Sequence, residues 1–244
     1  MEISDEALRQ LVEEVDHLHH EGMRTMAADI AELHQGEGHS LMAESRRRFL
    51  RHAGAAGVAL AIGSALLPLG GLVQPAFAQA ALDDATIAAF AESLELAAVQ
   101  AYAEAGAGGK VQNPSAAAAA ITFAGHHGDH AKAFAAAAGA KATGKANPKL
   151  AQTVGDQLRA AQDEKAVLGI AFALENAAAS TYLFALGALQ DPKALQLTAS
   201  ILPVESQHAV VLGTVLGKTL DDKMYLPGFV TQDAKVDPAK FPVT

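Results

Sequence analysis

The chain has 244 residues and a formal net charge of −9, and it contains neither Cys nor Trp. The lack of cysteine excludes disulfides, thiolate catalysis, iron–sulfur clusters and lipid attachment through a thiol. No stripe of Lys and Arg follows residue 51, which argues against nucleic acid as a partner. Hydrophobic residues make up 50% of the chain, many of them alanine, while aromatics are only 5%. Alanine is the strongest helix former, so the composition points to an all-α fold.

Residues 1–41 come first. Leu8, Leu11, Val15, Leu18, Met26, Ile30 and Leu33 recur mostly at three- or four-residue steps among charged neighbours. That spacing predicts an amphipathic helix. Met42 offers an alternative start that would leave this segment untranslated. The cluster His17, His19 and His20 could suggest metal binding, but a solvated helical face is the simpler reading.

Residues 42–78 read as an export signal. Ser45-Arg46-Arg47-Arg48-Phe49-Leu50-Arg51 matches the twin-arginine pattern, and no charged residue occurs from Ala53 to Leu82. Pro75-Ala76-Phe77-Ala78 supplies the small residues of a signal-peptidase site, so cleavage is expected after Ala78, leaving Gln79 first. The expected location is therefore the periplasm or cell envelope. The alternative is an uncleaved membrane anchor, since about 20 apolar residues span a bilayer.

Residues 79–220 predict a four-helix bundle. The first helix runs from an Asp83/Asp84 cap to about Ala105, before Gly106, Gly108 and Gly109. The second follows Asn113-Pro114-Ser115 and ends near Gly139. After a broken stretch from Lys141 to Leu150, the third is expected from about Asp156 to Leu189, with room for a break in its first turns. The fourth starts at Asp191-Pro192, a capping residue followed by a proline, and reaches about Gly217. Residues 221–244 read as an extended strap. Short first and third connections with a long second one describe two hairpins joined by a crossover, the ferritin-like arrangement.

The two halves repeat. Leu94-Glu95-Leu96-Ala97-Ala98 with Tyr102 matches Leu174-Glu175-Asn176-Ala177-Ala178 with Tyr182. His127-x-x-His130-Ala131 matches Glu205-x-x-His208-Ala209. The two glutamates stand 80 residues apart and His130 and His208 stand 78 apart, nearly one register. Residues at i, i+3, i+4 and i+7 share a helix face. Each motif then falls in the middle of an apolar row: Ala88, Ala91, Glu95, Ala98, Tyr102; Phe123, His127, His130, Phe134; Leu168, Ala171, Glu175, Ala178, Tyr182; and Ile201, Glu205, His208, Leu212. Burying unpaired carboxylates is costly, so three glutamates meeting three histidines call for a divalent cation. A hydrogen-bonded polar core is the alternative. His126 lies one position off the row and reads as a flanking residue or as a group that supports a ligand from behind. Tyr102 and Tyr182 could donate to the glutamates or carry a radical, but packing is the simpler reading of each.

These motifs, over residues from about 82 to 218, resemble those of bacterial ferritin-like domain proteins, including the exported and desiccation-related kind. The resemblance implies two iron or manganese ions held by a Glu from each of two helices and an E-x-x-H motif from each of the other two. Glu95 and Glu175 match the single glutamates, and Glu205 with His208 matches one E-x-x-H. His130 matches the second His, but His127 stands where the family has a bridging Glu. This departure argues against a standard dinuclear iron centre. It favours a mononuclear or asymmetric site for which Zn or Cu also fit. The expected protein is an exported metal-binding one with redox or sequestering activity. The alternative is a non-catalytic bundle that protects the envelope under stress and carries a vestigial site. Expected partners are the metal ion and the twin-arginine machinery, with membrane contact only through an uncleaved signal.

Overall fold

The structure, a computed structural model, describes residues 3–33, 83–218, 235–238 and 240–242; side chains of residues 25–33 are excluded. Among the described residues there are six α-helices and no strand. They are α1 (Asp5–Leu33), α2 (Asp84–Ala107), α3 (Pro114–Ala138), α4 (Pro148–Ala160), α5 (Glu164–Ala188) and α6 (Pro192–Val215).

Local chemistry sets the ends of the bundle helices. Asp83, Asn113, Asp163 and Asp191 each accept hydrogen bonds from free backbone N–H groups at the start of α2, α3, α5 and α6. Pro114 and Pro192 open α3 and α6, where a missing N–H is harmless. Gly139 ends α3 at φ 57°, a conformation that favours glycine. Pro203 lies inside α6 and leaves the helix continuous, although it cannot donate to the Ala199 carbonyl.

α2 packs chiefly on α3, and α5 on α6, giving two hairpins joined by the long crossover. Alanine fills much of the contact: Ala88, Ala91, Ala97, Ala98, Ala101, Ala177 and Ala179 are all buried. α5 is long and apolar enough to cross a membrane, but most of its apolar stretch is buried inside the bundle.

The crossover corrects the start of the predicted third helix. The break allowed in its first turns is present, with Asp163 starting α5 afresh, but the residues before the break belong to a separate α4 that begins already at Pro148. The cause is a cap at each start: Asn147 accepts from Leu150 N–H and Asp163 from Ala166 N–H. α4 buries Leu150, Val154 and Leu158 against Phe90 and Leu94 of α2. Glu92, also buried, fastens the crossover by accepting from the N–H groups of Thr143 and Gly144, both at 2.9 Å.

The described part of the tail docks on this cluster. Val236 and Phe241 are buried in it, Val236 N–H donates to Thr181, and the Asn147 side chain donates to the Phe241 carbonyl. Residues 219–234 and the export signal with its cleavage site lie outside the described residues.

α1 lies along α3 and α6. Its buried line is Leu8, Val12, Val15 and His19, while Leu18 is 45% exposed. The predicted face 8, 11, 15, 18 is therefore rotated by part of a turn. Steps of four, three and four put Val12 and His19 on the contact line. Met26, Ile30 and Leu33 are among the side chains that are not described. His17 and His20 are exposed as expected of a solvated face, but His19 is 2% exposed. It stacks on His126 of α3, with ring centres 3.9 Å apart.

Candidate metal centre

The apolar rows of α2, α3, α5 and α6 face one another and bring all six predicted residues together. Glu95, His127, His130, Glu175, Glu205 and His208 are each at most 1% exposed. They fall into two overlapping groups, Glu95–His127–His130–Glu205 and His127–Glu175–Glu205–His208. Within each group the donor atoms lie within 4.8 Å of one another. His127 and Glu205 belong to both groups, so the two matching positions of the internal repeat stand at the centre. Glu95 with His130, and Glu175 with His208, occupy the two flanks.

The contacts are close. His127 Nδ1 lies 2.7 Å from Glu95 Oε2, and its Nε2 lies 3.1 Å from Glu175 Oε1. His208 Nδ1 is 3.2 Å from Glu175 Oε2. His130 Nδ1 is 2.9 Å from Glu205 Oε1, near but not aligned as a hydrogen bond. Both Glu205 oxygens and both His130 nitrogens consequently lack a hydrogen-bond partner among the described residues.

Tyr102 and Tyr182 are more than packing residues. Tyr102 on α2 donates its hydroxyl to Glu175 on α5, and Tyr182 on α5 donates to Glu95 on α2. The tyrosine of each half holds the glutamate of the other. Burial and the adjoining carboxylates push both phenols well above their usual range, so they remain donors.

Electrostatics in the core follow from the crowding. Burial alone would raise Glu95 and Glu175, but the facing histidines outweigh it and hold both low. Burial alone would lower the histidines, but the glutamates outweigh it. His130 is pushed up to about 9, His127 well above its ordinary value, and His208 upward as well.

His126, off the predicted rows, supports the candidate ligand His208 from behind, and its contact with α1 is what the sequence reading missed. It is 1% exposed, with Nδ1 2.9 Å from His208 Nε2 and Nε2 2.9 Å from Asp16 Oδ1 on α1. Its spacing of four from His130 would have placed it on the same face. Burial outweighs the Asp16 carboxylate and lowers it to about 4, and it lowers His19 to about 3.

The donor set fits a divalent cation. Three carboxylates and three imidazoles converge in a closed core, and the orphaned atoms of Glu205 and His130 lack partners that such an ion would supply. No curated protein and no solved structure matches the chain. The family model for the ferritin-like domain matches residues 83–218, more than half of the sequence and the whole of α2 to α6. On that match, with the bundle and its buried Glu/His core, the chain belongs to the ferritin-like domain family.

Proposed function

We propose that the bundle core holds a divalent metal ion, iron or manganese in the first place, with Glu95, His127, His130, Glu175, Glu205 and His208 as its ligands. One observation carries this reading: Glu205 and His130 are fully buried, and although His130 Nδ1 lies 2.9 Å from Glu205 Oε1, none of their side-chain polar atoms has an aligned hydrogen-bond partner among the described residues. Leaving such groups unsatisfied costs about 1–3 kcal/mol each, more when charged, and a cation removes that penalty. A redox-active ion held there would supply electron transfer, and a redox-inert one would be sequestered. The residues themselves set the rest. Tyr102 and Tyr182 orient the two flanking glutamates, Phe123 and Phe134 bound the α3 row, and the closed core keeps bulk water out. Zn and Cu also suit the site because half of its donors are imidazoles.

A second reading rests on His127. Its two ring nitrogens lie within hydrogen-bond distance of Glu95 and Glu175. A protonated His127 can thereby stand in for an ion and leave a non-catalytic bundle that protects the envelope. Element analysis separates the two. Full-length protein reconstituted without oxygen with Fe(II) or Mn(II) should retain about one equivalent or more, and Glu205→Ala should lose most of it. Less than about a tenth of an equivalent in the unaltered protein would assign the core to the second reading.

The chain is further proposed to leave the cytoplasm folded. The twin-arginine pattern Ser45–Arg51 and the Ala76-x-Ala78 site support this. Changing Arg46 and Arg47 to Lys should keep the precursor in the cytoplasm, and normal export of that variant would overturn the proposal.

A further inference from the structure

A second cluster of ligand-type side chains lies outside the core, where α1 crosses α3. Asp16 and His20 sit one turn apart on α1, and His126 faces them from α3. Their candidate donor atoms lie within 4.8 Å of one another. Asp16 Oδ1 is 2.9 Å from His126 Nε2 and 3.3 Å from His20 Nδ1. His20 Nδ1 also lies 2.9 Å from the Asp16 carbonyl, which orients the ring over the carboxylate. The His126 ring is locked from behind: it stacks on His19, and its Nδ1 pairs with His208. Its Nε2 is thereby aimed at Asp16.

We propose that Asp16, His20 and His126 form a second site, facing solvent, for a divalent transition-metal ion. Two imidazoles and one carboxylate on one side, with water free to complete the shell, suit Zn(II), Co(II), Ni(II), Cu(II) or Fe(II) rather than Ca(II) or Mg(II). Side-chain exposures of 45% for Asp16, 64% for His20 and 2% for His126 describe an open rim over a buried anchor. The anchor is also the imidazole that touches His208, so the outer ion would stand one ring away from the core. Two of its three ligands precede the expected cleavage after Ala78, so the site belongs to the unprocessed chain.

The proposal does not depend on a metal in the core, and the test keeps the two apart. Co(II) is dialysed against full-length protein in four forms: unaltered, His20→Ala, Asp16→Asn, and the core double variant Glu175→Gln/Glu205→Gln. Bound metal and the Co(II) visible spectrum are read for each. His20 is exposed and Asp16 half-exposed at the rim of the α1–α3 contact, so their variants should keep the fold. Relative to the unaltered chain, each should bind about one equivalent less, or bind it at least about tenfold more weakly. The core double variant should retain about one equivalent that disappears when His20→Ala is added. The proposal is overturned if the two α1 variants bind Co(II) as the unaltered chain does. It is overturned equally if the core double variant, folded by circular dichroism, binds none. Loss of metal only on changing the core residues would support the core reading and sink this one.

Discussion

The two halves of the bundle carry the same pattern on α2/α3 and α5/α6, and they differ at one decisive position. Glu95 answers Glu175, Tyr102 answers Tyr182 and His130 answers His208, but His127 answers Glu205. Both members of that last pair sit at the centre and belong to both ligand groups. The exchange balances the buried core at three carboxylates against three imidazoles, where a matched pair of motifs would give four against two. A core of this kind tolerates the absence of metal better than a carboxylate-rich one. The glutamates can be neutralised by protonated imidazoles, at the expense of protons that a metal must later displace.

Removing the central carboxylate is the strongest way to break that comparison. Glu205→Ala strips His130 of its nearest carboxylate and takes one ligand from both groups. Breaking one side of a buried charge pair destabilises by about 3–5 kcal/mol, so chemical denaturation should show a loss of that order. Metal content should fall with it. An unchanged midpoint would mean that the contact between His130 and Glu205 contributes nothing to stability.

Making the halves match is the next test. His127→Glu places four carboxylates in the core against two remaining histidines. The metal-free protein should then lose stability, by about 2 kcal/mol or more, because like charges share a dry site. The metal-loaded protein should gain, and bound metal should rise towards two ions per chain. Calorimetry with and without chelator checks both signs.

pH sharpens the same point without mutation. His130 is raised from 6.5 to about 9 in the folded, metal-free state. Its contribution to stability is full below 6.5, falls across the interval and is lost above about 9. Glu95 and Glu175 are lowered, so their contribution is present above the ordinary carboxylate range and disappears only in strong acid. Metal affinity should run the other way between pH 6.5 and 9, rising as protons cease to compete. Metal-free melting temperatures that climb over that interval would contradict the assignment.

The smallest expected effects come from the crossed tyrosines. Tyr102→Phe and Tyr182→Phe each remove one hydrogen bond to a buried glutamate, worth about 1.5–3 kcal/mol. Because the arrangement is reciprocal, the two variants should lose similar amounts. A large effect from one and none from the other would show that the halves are less alike than their sequences.

Much of this was legible in the sequence because the bundle is a repeat. Two copies of one motif, in nearly one register, identify the inward rows and all six core residues. The tyrosines belonged to the same repeat, seven residues after each glutamate, yet a packing role hid that each reaches the other half's carboxylate. Only the crossing of α2 and α5 reveals that. Only the last turn of α4, residues 156–160, was merged into the third helix, and its start at Pro148 was read as part of a broken stretch because of the Gly and Pro residues there. The break is made by a cap at Asp163 and by docking on α2. His19 was read as part of a solvated face because a histidine on a charged helix is ordinarily solvated, and His126 as a flanking or supporting group because it lies one position off the apolar row. Their burial needs α1 laid against α3, a contact between segments more than a hundred residues apart that neither pattern records.

The central claim is a metal ion among His127, His130, Glu205 and their flanking glutamates, and anomalous diffraction tests it most directly. Crystals of full-length protein reconstituted with Fe(II) or Mn(II) should show a peak at the metal edge within ligand distance of His130 and Glu205. Tyr102 and Tyr182 should remain on Glu175 and Glu95. Refined density with no anomalous peak there, and His127 hydrogen-bonded to both Glu95 and Glu175 in protein shown to have been exposed to excess metal, would contradict it.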